Sequence, residues 1–486
     1  MIDPSMSTYG MESSSERQPE PILARLDEAR YVERENEPST LDDHSARALN
    51  FNLLLLGSRH VGKTEILLRT FDSLFRKGDI VVPVYCSVRG VRPDFRRVAR
   101  DFISQLLRQV VAFRLRDPRL LNRTDFPVES IARYADRDDL QWVRTLLDVL
   151  SRGPDLQGFF SAVEVIASQT GLAPMVMLDN VDRLWSPGAE AESDYNVDWP
   201  FVGSLLEAAT RRGSAPDACF VLAGLERHLV EMLPPDEDTL EGLRLLRISR
   251  LPDRLSEDAA RRNAAHLGVE ISDSTIELMV QQLRGDLFYM RAVLDSAAAS
   301  ETGLKTFVDF ERLYTAELLN GRIAHYLAGL FRGIAPGFHQ QRALVETLRL
   351  VAEADGPIPL DAVVERIELH GCEPEALLRR LSRAELLNLE YGFVSPSSDV
   401  VAADYVRAVY RREIAGARPA VAGEELLRDK LKTSYRLMMS RFSRSFESQL
   451  VEVLSRFDFQ NVPASLFDQE AFEMSYRAVS KTQIRR

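Results

Sequence analysis

The chain has 486 residues, too many for one hydrophobic core, so about two to four structural units are expected. Its formal charge of −12, from 61 Lys and Arg against 73 Asp and Glu, argues against a dedicated nucleic-acid binder. Three scattered cysteines (Cys86, Cys219, Cys372), no apolar run of ~18 residues and a polar start (Ser13-Ser14-Ser15-Glu16-Arg17) argue against a disulfide scaffold, a membrane span and a secretory leader; the expected setting is cytoplasmic, with reduced, packed thiols.

In chain order, residues 1–25 are rich in Ser, Met and Glu and read as a disordered tail. A charged approach over 26–45 is expected to be partly helical. Phe51-Asn52-Leu53-Leu54-Leu55-Leu56 is a short apolar run ending at a glycine, the pattern of a strand buried on both faces. Residues 63–75 place Ile66, Leu67, Phe71 and Leu74 at helical spacing. Ile80-Val81-Val82-Pro83-Val84-Tyr85 is a second buried strand, and Pro93 opens an Arg-rich helix. Residues 117–170 read as an amphipathic helical insertion. Met175-Val176-Met177-Leu178 is a third strand, 201–212 a helix, 219–224 a fourth strand and 244–248 a fifth. Strands separated by helices pair in parallel, so residues 26–250 are expected to form a three-layer α/β core.

After Pro252 the strand pattern stops. Ser256, with Glu257 and Asp258, reads as the N-cap of a series of helices over 251–335, a helical lid. Gly333, Pro336 and Gly337 mark a boundary. Residues 336–415 run as three helices, a two-strand turn bending at Gly392 and a further helix, the order of a winged helix. Residues 416–486 read as helical. Ser443 to Leu450 is expected to open a new unit, where an effector domain would begin, although no nuclease pattern is visible.

The chemistry concentrates in Gly57-Ser58-Arg59-His60-Val61-Gly62-Lys63-Thr64, a full match to the phosphate-loop pattern, with a strand before it and a helix after it. Glycines let backbone N–H groups curl around phosphate oxygens, and the helix N-terminus adds its positive end. Lys63 is expected on the β- and γ-phosphates and Thr64 on Mg²⁺, with the stretch through Glu65 touching ATP or ADP. Asp179 closes an apolar strand, expected beside the phosphate loop, where it would share the Mg²⁺ with Thr64. Asn180 stands where such sites often carry a glutamate that orients the attacking water, and an amide cannot accept its proton. Asp182 is the substitute candidate; its bland reading is a solvated or capping Asp.

These residues resemble the STAND class of P-loop NTPases, in its archaeal-ATPase-like branch, related to AAA+ and initiator ATPases. The resemblance rests on Gly57 to Leu67, on Met177-Leu178-Asp179-Asn180-Val181-Asp182-Arg183-Leu184, on Leu222-Ala223-Gly224-Leu225, and on Leu283-Arg284-Gly285-Asp286-Leu287-Phe288-Tyr289 as the lid motif without its proline. It covers about residues 30–415 in element order. It implies an ATP-driven regulatory switch between a closed monomer and an assembled state, in bacterial stress or antiviral signalling, with self-association or a partner protein. Leu225 replaces a polar sensor, which would pass that role to Glu226 or Arg227. Slow hydrolysis follows from Asn180.

Other residues carry two readings each. Arg211 and Arg212 suit a helix C-terminus or a neighbour's γ-phosphate. Arg291 suits a surface helix or a lid-borne phosphate sensor. His60 reads as a solvent-facing loop position rather than a base. Arg96, Arg97, Arg100, Arg108, Arg114 and Arg116 make a solvated face or a phosphate-binding one. Arg379, Arg380 and Arg383 lie on the would-be recognition helix with Glu375, Glu385 and Glu390 close by, and intramolecular packing is favoured over duplex binding. Two alternatives stay open: a DNA-loading ATPase, and a scaffold that binds nucleotide without turnover.

Overall fold

A computed structural model describes residues 20–34, 52–89, 95–121, 127–184, 218–231, 243–354 and 356–455. Five strands, β1 (Asn52–Gly57), β2 (Val81–Ser87), β3 (Ala173–Asp179), β4 (Cys219–Leu225) and β5 (Leu243–Arg247), pair in parallel in the order β2-β3-β4-β1-β5. Strands β1, β3 and β4 lie inside the sheet, which is why their sequences are continuous apolar runs. Edge strand β5 is buried only at Leu243 and leaves Leu245 exposed. β4 lies between the strand that ends at Asp179 and the strand that leads into the phosphate loop.

Helices α1 (Lys63–Lys77), α2 (Phe95–Leu115), α3 (Leu140–Arg152) and α4 (Leu156–Thr170) cover the sheet. Phe71, Phe102, Trp142 and Phe159 are fully buried among them. The insertion is therefore part of the core. Asp139 ties it down, accepting from Trp142 Nε1 at 3.0 Å and from Arg114 Nε at 2.7 Å. Arg114 thus belongs to packing, and Arg116 reaches the Phe75 and Gly78 carbonyls. Pro93 and the helix expected over 201–212, with Arg211 and Arg212, lie outside the described residues. Cys86 and Cys219 are buried free thiols, and Cys372 is half-buried and packs against the second core cluster.

Residues 20–25, expected in a disordered tail, are docked. Asp72 on α1 accepts the backbone N–H groups of Ile22, Leu23 and Ala24 at 2.8, 2.7 and 3.3 Å. Arg69 continues the clamp, bonding the Leu26 and Asp27 carbonyls and lying 3.6 Å over the Tyr31 ring. Residues 26–34 follow as turns and irregular chain, and the rest of the stretch expected to be partly helical lies outside the described residues.

Helices α5 (Glu226–Glu231), α6 (Asp253–Leu267), α7 (Asp273–Leu283), α8 (Leu287–Ala299), α9 (Phe307–Asn320), α10 (Arg322–Ile334) and α11 (Phe338–Glu353) come next. Then α12 (Leu360–Glu368), α13 (Pro374–Arg383), α14 (Val400–Val409) and α15 (Pro419–Ser455) frame a small antiparallel sheet of β6 (Ile358–Pro359), β8 (Phe393–Pro396) and β7 (Leu387–Glu390). Helix α6 starts at Asp253 after Pro252, so Ser256 is not its cap. Proline's fixed φ suits a helix start, and the buried Ser256 hydroxyl instead donates to the Leu251 carbonyl. Ser443 to Leu450 continues α15 rather than opening a helix, and residues 456–486 lie outside the described residues. Buried residues from Ala260 to Leu426 form one continuous cluster, separate from the sheet's. Among the described residues no helix is long and apolar enough to cross a membrane.

A polar network joins α15 to this second cluster. Asp404 pairs with Lys430 and accepts from the Tyr314 hydroxyl at 2.8 Å and from Arg407 at 3.0 Å. Glu311 is fully buried, accepting from the Ser434 hydroxyl and, at 3.4 Å, from Gln282. Burial pushes its carboxyl from 4.5 up to about 7. The folded state holds this proton more tightly than the unfolded one, so its contribution is complete below about 4.5 and lost as pH rises through about 7. Glu311→Gln cannot ionise and keeps the acceptor for Ser434. It is expected to gain on the order of 2 kcal/mol over wild type at alkaline relative to acidic pH in urea unfolding; an identical pH slope in both proteins contradicts this assignment.

Candidate functional site

The loop between β1 and α1 is shaped by its neighbours. A Cβ on Gly57 would lie 2.5 Å from the Ile248 carbonyl, which follows β5 along β1, so only glycine fits. Lys63 opens α1 and folds over the loop, its Nζ donating to the carbonyls of Gly57 and Ser58 at 2.7 Å each. Burial lowers its pKa, opposed by Asp182, Glu385 and Asp179. Arg34, from the docked N-terminal segment, bonds the Val61 carbonyl and, at 2.7 Å, the Ser249 carbonyl. It fixes the back of the loop, and sequence reading missed it.

Thr64 and Asp179 meet although their strands are not adjacent, because Thr64 belongs to the helix. Its hydroxyl donates to Asp179 Oδ2 at 2.7 Å, and the Tyr85 hydroxyl donates to the same oxygen at 3.0 Å. Burial first, and Asp179 beside it, hold the Tyr85 phenol protonated well above its usual range. Asn180 stands in the left-handed region at φ 59°, which Asn tolerates better than most residues. Its amide donates to Ser87 Oγ at 3.0 Å, since Ser87 lies opposite Asp179 in the sheet register. Neither Tyr85 nor Ser87 carried a motif; strand register alone brings them here.

Asp182 is half-buried at the cavity and bonds a strand end rather than a helix start. It accepts from the Leu225 backbone N–H at 3.2 Å, at the end of β4. A Cβ on Gly224 would come within 2.9 Å of that carboxylate, so the glycine makes room for it. Glu65, expected on the nucleotide, accepts from the Leu26 and Arg25 backbone N–H groups at 3.1 and 3.3 Å and so secures the N-terminal segment. Of the substitutes for Leu225, Glu226 pairs with Arg247 at 2.7 Å, and Arg227 bonds the Leu387 carbonyl at 3.0 Å and Asn388.

Two loop residues reach into the second half of the molecule. His60, read from sequence as solvent-facing, is mostly enclosed. Its Nδ1 lies 3.0 Å from Asp286 Oδ2, and its ring packs against Phe288, Tyr289 and Tyr326 at 4.7, 5.4 and 4.8 Å. Asp286 also caps α8 through the Phe288 and Tyr289 N–H groups. The Arg59 guanidinium donates to the Tyr326 hydroxyl at 3.3 Å, while the Arg59 backbone N–H donates to Glu385 Oε2 at 3.3 Å.

Above the loop is a cavity of about 1090 Å³, just above the roughly 300–1,000 Å³ usual for ligand sites. Lys63, Thr64, Asp179, Asn180 and Asp182 line one end, and Val32, Leu251, Ala260 and Met290 give it an apolar arm. Arg291 borders it but is held by Asp295 at 2.7 Å and Asn263 at 3.0 Å. Arg380 and Arg383 also line it, Arg380 bonding the Ile334 carbonyl at 2.9 Å. Arg379 pairs with Glu375 at 3.5 Å. Asp399 points inward, capping α14 and accepting from Tyr289.

No protein-family model and no curated protein matches the chain. Among solved structures, a Walker-type ATPase of Pyrococcus abyssi is similar at TM-score 0.52 and 16% identity, over 80% of this chain and 99% of that one. Cdc6p of Pyrobaculum aerophilum matches at TM-score 0.40 and 13% identity, over 80% of this chain and 99% of that one. The ORC2 protein of Aeropyrum pernix matches at 0.39 and 15%, over 78% and 94%. The parallel sheet, the loop after its first strand and the first of these likenesses together give the chain the α/β core fold of a P-loop NTPase.

Proposed function

We propose that this chain is a STAND-type regulatory ATPase, a switch that binds ATP and Mg²⁺ and hydrolyses slowly. The observation that carries the reading is that the phosphate loop itself, through Arg59 and His60, is bonded to the helices and hairpin beyond the core. A ligand that reshapes this loop acts directly on how the two halves pack.

The residues fit the group. Thr64 Oγ1 and Asp179 Oδ2, 2.7 Å apart, are a hydroxyl and a carboxylate suited to one hard cation that takes its other ligands from phosphate and water. When bound, that cation neutralises phosphate charge. Lys63, now donating to two loop carbonyls, is the mobile cation for the β- and γ-phosphates. Gly57 to Thr64 supply backbone donors at the start of α1. The apolar arm at Val32, Leu251 and Met290 suits a nucleobase. Residues 251–335 act as the lid and 336–415 as a winged helix that packs within the molecule. Arg380 and Arg383 lining the cavity favours that packing over duplex reading.

Lys63→Ala is expected to abolish ATP binding in isothermal titration while leaving the fold intact; unchanged affinity in the folded variant would remove the loop from the site. Wild-type turnover is expected far below the ~10 s⁻¹ median of enzymes, because the Asn180 amide is no proton acceptor. Asn180→Glu should raise turnover, while its left-handed backbone costs about 1 kcal/mol of stability. No gain in a folded variant would point to Asp182 as the residue that orients the water. Duplex DNA binding is expected no tighter than ~10⁻⁴–10⁻⁶ M at physiological salt. ATP-dependent nanomolar binding lost in Arg380→Ala with Arg383→Ala would favour the DNA-loading reading instead.

A further inference from the structure

Helix α15 presents two faces, and only one of them is seated. Ala422, Leu426, Lys430 and Ser434 recur at helical spacing and are buried, against α9 and the polar network at Asp404 and Glu311. Leu427, Leu431 and Tyr435 each stand one residue further along, and together they lie about 140° round the helix from that face's centre. Tyr435 is 56% exposed and Met439 45%. With Phe307 and Val308 at the start of α9, these three residues border an apolar groove of about 490 Å³. The sequence carries the stripe on through Met438, Phe442, Phe446, Leu450 and Val453, with no glycine or proline to interrupt the helix before Ser455. Steps of three and four averaging about 3.7 residues keep such a stripe nearly straight along a helix. An apolar stripe of this kind belongs against another surface.

We propose that this stripe is the contact between two copies of the chain, α15 pairing antiparallel with α15 whether or not a nucleotide is bound. Charge complementarity selects this occupant and this direction. Lys432 and Arg436 flank the first half of the stripe, and Glu447 and Glu452 the second. Two parallel copies would set like charge beside like. Two antiparallel copies with Phe442 at the two-fold axis bring Arg436 level with Glu447 and Lys432 level with Glu452, each pair occurring twice by symmetry. In that register the helices overlap from Asp429 to Ser455, about 40 Å. Leu450 and Val453 of each copy then meet the groove of the other beside Leu431 and Tyr435. The seated face is left alone, so the Asp404–Lys430 pair still holds each helix on its own body. The proposal does not depend on the nucleotide-binding reading of the phosphate loop.

The test is sedimentation equilibrium of the full chain, without nucleotide and with Mg·ATP. A dimer is expected in both conditions, and a monomer from Phe446→Glu. Should that variant fold poorly, the charges serve instead. Glu447→Arg is expected to raise the dimer Kd by about ten-fold, and adding Arg436→Glu to restore it. The register is read by cysteine cross-linking under mild oxidation, with wild type as the control for Cys372. Phe442→Cys meets its own copy across the axis and is expected to form an intermolecular disulfide. Leu431→Cys lies opposite Val453 and is expected to form none. A monomeric wild type, a dimer that requires ATP, equal cross-linking at both positions, or no effect of Glu447→Arg overturns the proposal.

Discussion

Arg59 and His60, adjacent in the phosphate loop, connect two halves of the molecule that have separate hydrophobic cores. One core lies around the five-stranded sheet, and the other runs from Ala260 to Leu426. Between them the described apolar contact is small, centred on Val32, Leu251 and Ala259. Beside it the His60 ring packs among Phe288, Tyr289 and Tyr326, and polar bonds join His60 with Asp286, Arg59 with Tyr326 and Glu385, and Arg227 with Leu387 and Asn388. A hydrogen bond contributes only about 1 kcal/mol net, far less than burial of a large apolar face. A junction built this way can change partners without unfolding either half.

Arg59 and His60 border the cavity together with Lys63 and Thr64 and also bond the second half of the molecule. His60 adopts φ 60°, a conformation that most side chains resist, and its ring sits among Phe288, Tyr289 and Tyr326. Asp286, its partner, is also the cap of α8, so one carboxylate fixes both the helix start and the loop contact. Any shift of the loop is transmitted to that helix without a longer relay.

The far side of the molecule is built differently. Helix α15 is held by buried charge: Asp404 with Lys430, Arg407 and Tyr314, and Glu311 with Ser434 and Gln282. Such groups fix register because each leaves a costly unpaired polar atom if the helix slides. The site side is thus weakly joined and adjustable, and the C-terminal side is specified.

The sequence by itself determined the elements whose burial is uniform. The apolar runs of β1, β3 and β4 are readable because both faces are covered, and the phosphate loop because its glycines and Lys63-Thr64 obey a local backbone requirement. Helix starts were less legible: α6 begins at Asp253 after Pro252 rather than at Ser256, since two residues four positions apart both satisfy the local signal and packing, which buries Ser256, chooses between them. What only tertiary structure decided is everything that depends on register or on distant contact. Strand order puts β4 between β1 and β3, and pairing of β2 with β3 brings Tyr85 and Ser87 to Asp179 and Asn180. The docked segment delivers Arg34 to a loop residue 27 positions away, and the α13–β7 turn delivers Glu385 across 326 positions. No local pattern encodes such meetings, because each depends on where two independently packed surfaces come to rest.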